Sequence, residues 1–257
     1  MNDYYSRFNG LSKLYGKSKL NLFKESHIAI IGLGGVGSWV VEALARSGIG
    51  KITLIDLDEV CLSNVNRQVQ ALSQTIGQSK CKALRERVFQ IAPECKVITK
   101  EVFYTKNSSE CILSDSYDYV VDAIDSVTNK IHLLAESKKK GFKIVTCGGG
   151  GGKIDPTKIK VEDLSRTRND PLLSQVRKRL RKEYNFPKSN KNKFKIKCVF
   201  SDEKPLFPTI DGKTSCIREK GENYRINCEN GFGSSTALTG SMGFFMASIV
   251  LGELGKE

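Results

Sequence analysis

The sequence lacks closely spaced cysteines. Its eight cysteines, at positions 61, 81, 95, 111, 147, 198, 216 and 228, include no CxxC pair, which excludes a zinc site built from paired knuckles. No amino-terminal signal peptide is recognisable, so the thiols are expected in a reducing, cytoplasmic compartment, mostly as small buried hydrophobes. No internal repeat is present. Acid is scarce relative to base: 28 Asp and Glu stand against 41 Lys and Arg in 257 residues, a formal net charge of +13. That excess points to a polyanionic partner, nucleic acid first and an anionic membrane surface second. It is also local. Between Arg177 and Lys197 ten basic residues accompany a single acid, Glu183, so this segment carries most of the imbalance. A hydrophobic content of 39% supplies an ample core and excludes wholesale disorder.

Hydrophobic periodicity predicts an alternation of strands and helices over the first half. Strands are expected at 28–32, 51–56, 95–102, 117–123 and 143–147, with helices at 36–45, 79–91 and 126–140. Strands that are apolar almost throughout imply a mostly parallel sheet covered on both faces. After Cys147 five consecutive glycines, Gly148 to Gly152, read as a functional loop or a hinge. A strand at 158–161, a basic amphipathic helix at 171–184 and a strand at 194–200 follow. The stretch 230–252 has no charged residue. Its length is near that of a bilayer span, but its small and hydroxyl residues and its single apolar stripe suit a core or subunit-interface helix better. The expected division is a mostly parallel α/β domain over 1–147 and, over 148–257, a smaller α+β extension with the glycine loop, basic segment and last helix.

Gly32-Leu33-Gly34-Gly35-Val36-Gly37 fits GxGxxG directly after a strand and at the start of a helix, with Asp56 ending the next strand. The glycines let backbone amides reach phosphate oxygens, and the acid accepts from ribose hydroxyls, so Gly32, Gly34, Gly35, Gly37 and Asp56 are candidate nucleotide contacts on a Rossmann-like α/β fold. Downstream, Asp56 to Gln68 contains Asp58, Asn64, Asn66 and Arg67, and Lys80 follows. A dinucleotide gives little reason for that arginine and lysine. A triphosphate undergoing cleavage does, because cations must neutralise charge building on the leaving pyrophosphate.

At these residues the sequence resembles the ubiquitin-activating-like adenylating family, which includes the molybdopterin and thiamine sulfur-carrier adenylases. The resemblance rests on DxDxVxxSNxNRQ after a GxGGxG turn. It implies ATP and Mg²⁺ as cofactors, with Asp56 on the ribose and Asn64, Asn66, Arg67 and Lys80 on the phosphates. It implies further that Asp58 assists a metal or orients Arg67, that Asp125 is the Mg²⁺-linked aspartate, and that Arg7 is lent across a homodimer interface to a neighbouring ATP. A carboxylate such as Asp125 suits a hard cation bridging phosphates, and it would equally serve as a helix cap.

The second half lacks the zinc-binding CxxC pairs of the sulfur-carrier adenylases. The blocks Thr146 to Thr157, Asp163 to Thr167, Asp170-Pro171-Leu172, Cys198 to Ser201 and Asn227 to Gly233 resemble instead the branch acting on threonylcarbamoyladenosine in tRNA. That resemblance implies adenylation of the nucleoside carboxylate and then closure by its own ureido group, whose effective concentration is very high. The basic segment, with Arg177, Lys178, Arg179, Arg181, Lys182, Lys191, Lys193 and Lys195, becomes the expected tRNA phosphate contact, extended by Lys138 to Lys140. Sparse aromatics favour backbone contact over base stacking. Adenylation of a ubiquitin-like carrier protein and a noncatalytic nucleotide-sensing RNA-binding module remain as alternatives. A monovalent cation near the glycines and a sulfur-transfer partner acting through Cys228 are left open.

Overall fold

The computed structural model describes residues 3–189, 192–209, 211–217 and 232–256. Its main strands are β1 (His27–Ile31), β2 (Lys51–Ile55), β3 (Lys96–Lys100), β4 (Tyr119–Asp122), β5 (Ile144–Cys147), β6 (Ile159–Asp163) and β7 (Lys197–Ser201). They form one sheet in the order β3-β2-β1-β4-β5-β7-β6. Every neighbouring pair is parallel except β6 with β7. A two-stranded hairpin of β8 (Phe207–Pro208) and β9 (Thr214–Ser215) lies outside it.

The helices are α1 (Asp3–Arg7), α2 (Asn9–Tyr15), α3 (Lys17–Glu25), α4 (Gly37–Arg46), α5 (Lys80–Ile91), α6 (Ser109–Ile112), α7 (Val127–Lys140), α8 (Pro171–Glu183) and α9 (Thr236–Glu253). They cover both faces. Ile28 and Ile30 of β1 join a core with α4, α5 and α9, whereas Ala29 and Ile31 join a second core with α7 and α8. Continuous apolarity in β1 follows from this two-sided burial, because alternate side chains enter different cores.

Chain order sets the site. From β1 the sheet grows outward through β2 and β3, and the chain then returns to lay β4 on the other side of β1. The reversal opens a crevice at the carboxyl ends of β1 and β4, where open α/β sheets bind ligands.

The uncharged stretch becomes α9. Leu238, Met242, Met246 and Val250 are fully buried on it, each removal from water contributing about 1.5–3 kcal/mol. A Cβ on Gly243 would stand 2.8 Å from the Val36 carbonyl and 2.7 Å from the Trp39 Cβ, so the glycine permits close packing on α4. The helix is long and apolar enough to cross a membrane, and half of it is buried inside the protein.

Three features differ from the periodicity. No element was expected before residue 28, yet α1 to α3 pack at the amino ends of β1 and β2, with the Tyr4 hydroxyl donating to the Gly48 carbonyl at 2.6 Å and the Gly50 N–H to the Phe23 carbonyl at 3.0 Å. The strand expected from 194 starts at 197. Lys195 has φ +61°, and the Asp163 carboxylate accepts from the backbone N–H groups of Phe194, Lys195 and Ile196, which removes them from a ladder. Finally, β7 pairs directly with β5, so β7 and β6 lengthen the first sheet, while β8 and β9 form a separate two-stranded pair.

Candidate nucleotide site and cationic surface

The glycine turn leaves β1 at the crevice. Gly32 has φ +91°, and a Cβ on it would lie 2.7 Å from the Ala123 carbonyl after β4. A side chain on Gly37 would overlap the Gly32 carbonyl. Gly34, by contrast, faces open space. The first and last glycines thus serve the tight turn and helix packing, and the middle of the turn is left bare for a ligand, with the amino end of α4 behind it.

Asp56, 8% exposed, stands beside this turn. Its Oδ2 accepts from the Leu33 N–H at 2.7 Å and its Oδ1 from the Asp58 N–H at 2.9 Å. Backbone donors therefore fix the carboxylate where a ribose would approach. Asp58 pairs with Lys80, Oδ2 to Nζ 2.7 Å, and not with Arg67, so of the two expected roles the orientation of Arg67 falls away. Lys80 is nearly buried while Asp58 is half exposed. The ammonium is thereby held at the mouth of the site.

Arg67 crosses the turn. Its Cγ and Cδ lie 3.3 Å from where a Cβ on Gly35 would be, and its Nη1 donates to the Ser63 carbonyl at 2.6 Å and to the Asn66 Oδ1 at 3.1 Å. The two asparagines separate in role. Asn64 is buried and its Oδ1 accepts from the Cys61 N–H at 3.1 Å, which caps a single helical turn at Leu62–Asn64. Asn66 is exposed; its Nδ2 donates to the Ser234 carbonyl at 2.8 Å, and its own carbonyl accepts from Thr236 Oγ1 at 2.6 Å. The start of α9 is thus fastened to the loop that carries Arg67.

On the other lip, Asp125 follows β4, exposed and without a hydrogen-bond partner among the described residues. The cap position of α7 is taken by Ser126, so Asp125 remains free for a ligand. Sequence reasoning missed what holds this lip. Lys130 and Asp122 are both fully buried, 2.8 Å apart, and Thr146 Oγ1 donates to the same Asp122 oxygen at 2.6 Å. Burial opposes the charge on Lys130, but Asp122 beside it outweighs this and holds the ammonium above its ordinary value. Among the described residues no group of three or more His, Cys, Asp or Glu converges as a metal cage. An exposed carboxylate such as Asp125, unpaired among the described residues, would suit a hard cation only if that cation took its remaining ligands from phosphate and water.

Three buried cysteines are unsuited to nucleophilic work: burial pushes the thiols of Cys81, beside Asp56, and of Cys147 up to about 12 and that of Cys198 well above its usual range, whereas the reactive form is the thiolate. Cys228 lies outside the described residues.

Arg7 sits at the opposite end of α4. It pairs with Asp3 at 2.5 Å and lines, with Arg46, Arg87 and Gln90, an open cavity of about 350 Å³. Ten residues of α4 make roughly 15 Å, so Arg7 does not meet the nucleotide site of its own chain.

The basic segment folds into a surface. Leu173, Val176 and Leu180 are buried, while Ser174, Arg177, Lys178, Arg181, Lys182 and Lys188 line a cavity of about 610 Å³. Arg177 is anchored on Thr167 Oγ1 at 2.5 Å, and burial, with Arg181 nearby, lowers its affinity for the proton. Arg179 is turned away from this stripe, bonded through two nitrogens to Glu183 and to Thr128. Lys193 and Lys195 are exposed on the loop before β7; it packs back on α8 through Phe194, whose ring carries the Arg181 guanidinium at 5.3 Å. Lys138 joins them, 4.4 Å from the Phe186 ring. Lys191 lies outside the described residues.

A parallel sheet with a bare glycine turn at its switch point, a fixed ribose acid, and an arginine and lysine beside it defines a nucleotide-binding enzyme of the adenylating kind. The ThiF family model matches residues 5–251, and the chain belongs to that family. It is 46% identical to a tRNA threonylcarbamoyladenosine dehydratase of Haemophilus influenzae, spanning all of this chain and 96% of the relative. It is 44% identical to the Escherichia coli protein of that name over 95% of this chain and 92% of the relative. A crystal structure of the E. coli dehydratase in complex with ATP superposes with a TM-score of 0.88 at 41% identity, covering 99% of this chain and 96% of that one.

Proposed function

We propose that the chain is an ATP-dependent dehydratase that cyclises N6-threonylcarbamoyladenosine in tRNA through a carboxylate adenylate. The observation that carries this reading is the presence, on one sheet, of an adenylation crevice and a cationic stripe on α8, in a chain that matches dehydratases over nearly its full length. ATP lies with its ribose on Asp56 and its phosphates along the turn at Gly34. The threonyl carboxylate attacks the α-phosphorus and pyrophosphate leaves, its charge met by Arg67 and Lys80. Asp125 would hold Mg²⁺, which would supply neutralisation of phosphate charge. The ureido group of the same nucleoside then closes on the activated carbonyl, AMP departs, and the net change is loss of one water.

α8 binds tRNA phosphates through Lys178, Lys182 and Lys188, with Arg177 and Arg181 buttressing the stripe. The chain acts as a homodimer in which Arg7 reaches the partner's nucleotide, a reading supported by its place at the far end of α4 from the glycine turn. The working compartment is the cytoplasm. Mass analysis of tRNA nucleosides after incubation with the protein and Mg·ATP tests the reading: threonylcarbamoyladenosine lighter by one water supports it, and an unchanged nucleoside refutes it. Carrier-dependent, tRNA-independent exchange of pyrophosphate into ATP would point to a protein substrate instead.

A further inference from the structure

One buried carboxylate ties the glycine loop 148–152 to the helix that carries the cationic stripe. Asp170, 3% exposed, caps α8 by accepting from the Leu173 N–H at 2.9 Å through Oδ1. Its Oδ2 accepts from the Gly149 N–H at 3.0 Å and from Lys153 Nζ at 3.3 Å. Lys153 is equally buried and also donates to the Ser201 carbonyl of β7 at 2.9 Å. A side chain on Gly148 would collide with the same Oδ2, so the loop reaches the carboxylate only because residue 148 has none.

A cap alone does not account for this arrangement. One oxygen suffices to cap a helix, and Ser, Thr or Asn does so as well as Asp. Burying an ion pair costs desolvation, and well-packed apolar groups often replace such pairs without loss. What the second oxygen adds is a fixed distance between Gly149 and the first turn of α8. The loop continues β5, and β5 pairs with β4, whose end carries Asp125. Thus Asp170 links the basic helix to the lip of the nucleotide crevice.

We propose that Asp170 is a positioning residue: it holds the glycine loop in register with α8, so that RNA bound along the cationic stripe presents its reacting nucleotide at a set distance from the glycine turn and Asp125. This rests on the reading of α8 as the tRNA surface. The test is Asp170→Asn combined with Lys153→Met. Asparagine still caps α8 through its amide oxygen, its NH₂ cannot accept from Gly149, and the second change removes an otherwise unpaired ammonium.

Turnover is measured at saturating threonylcarbamoyladenosine-tRNA and Mg·ATP, with the dissociation constants for ATP and tRNA and the melting temperature alongside. The expected result is a fall in kcat of about tenfold or more, the scale of a small misplacement of reacting groups, with both dissociation constants within about threefold of the parent. A kcat that stays near the parent value overturns the proposal, as does a fall matched by equal losses of ATP and tRNA binding, which would mark a merely structural role. If the double variant does not fold, Gly148→Ala, which pushes the loop off the carboxylate with Asp170 and Lys153 in place, is held to the same outcomes. Lys178→Ala with Lys182→Ala separates the two readings. If this pair leaves tRNA binding unchanged, the assignment of α8 fails; if it weakens binding while the Asp170 variant keeps full kcat, only the positioning role fails.

Discussion

The side chain of Arg67 lies across Gly35, with Cγ and Cδ each 3.3 Å from the point a Cβ on that glycine would occupy. Residues thirty-two apart in sequence are thereby placed on one phosphate-facing surface. Arg67→Ala is expected to lower kcat by about 10²–10³-fold, the usual cost of removing one charge-stabilising donor, with tRNA affinity largely retained because the arginine is not on α8. Gly35→Val should disturb the same side chain and weaken ATP binding. Steady-state kinetics and tRNA filter binding on the two variants check this; a loss of tRNA affinity equal to the loss of kcat would contradict it.

The cationic stripe makes a prediction in salt. Removing Lys178 and Lys182 together should weaken tRNA binding at every sequence and lower the slope of log K against log salt by roughly 1.5, the release expected from two lost phosphate contacts. Arg179→Ala should change neither quantity appreciably, since that side chain is committed to Glu183 and Thr128. Titrations between low and moderate salt distinguish the two positions.

Subunit mixing tests Arg7. Arg7→Ala and Arg67→Ala homodimers should each be nearly inactive. In a heterodimer of the two, one site carries both defects and the other has an intact Arg67 facing an intact Arg7, so activity should return on mixing and re-equilibration. No recovery would place Arg7 outside the reaction.

Neutralising the buried pair on the Asp125 lip should be costly when done from one side only. Asp122→Asn leaves the Lys130 ammonium without its charged partner and is expected to destabilise the fold by about 3–5 kcal/mol, whereas Asp122→Asn with Lys130→Met should recover much of that loss. Urea denaturation of both variants measures the difference.

Acid should destabilise the protein beginning near neutrality. Both histidines have lowered proton affinity in the folded chain, His27 through burial and then Lys51, His132 through burial. A depressed folded value means that the unfolded chain takes up protons first. Their contribution is therefore complete above the unfolded value of about 6.5 and is lost as pH falls from there through the folded values. His27→Gln should flatten the decline in stability between about pH 6.5 and 5, read from melting temperatures across that range; an unchanged slope would assign the decline to other groups.

Much of the fold was legible because local rules and the tertiary result agree. Ile28 to Ile31, Tyr119 to Val121 and Ile144 to Val145 are apolar in succession, as a strand buried on both faces favours. The glycine turn and the acid after the next strand were legible as a strand–turn–helix pattern, and the fold brings Asp56 to the Leu33 N–H and lays Arg67 across Gly35. What sequence alone could not assign was partnership. Lysines are ordinarily solvated, so nothing local marks Lys130 or Lys153 as buried; each becomes so only when β4, β5 and β7 bring Asp122 or the cap of α8 within reach. The same holds for Asp58, which the pairing of Glu59 with Ser79 brings to Lys80 instead of Arg67, and for Asn64, which ends as a cap. Composition pointed to a polyanion partner and to the segment of chain expected to meet it. Only helix periodicity placed on a packed face decided which of those cations point outward, leaving Lys178 and Lys182 free toward solvent and turning Arg179 onto its own glutamate.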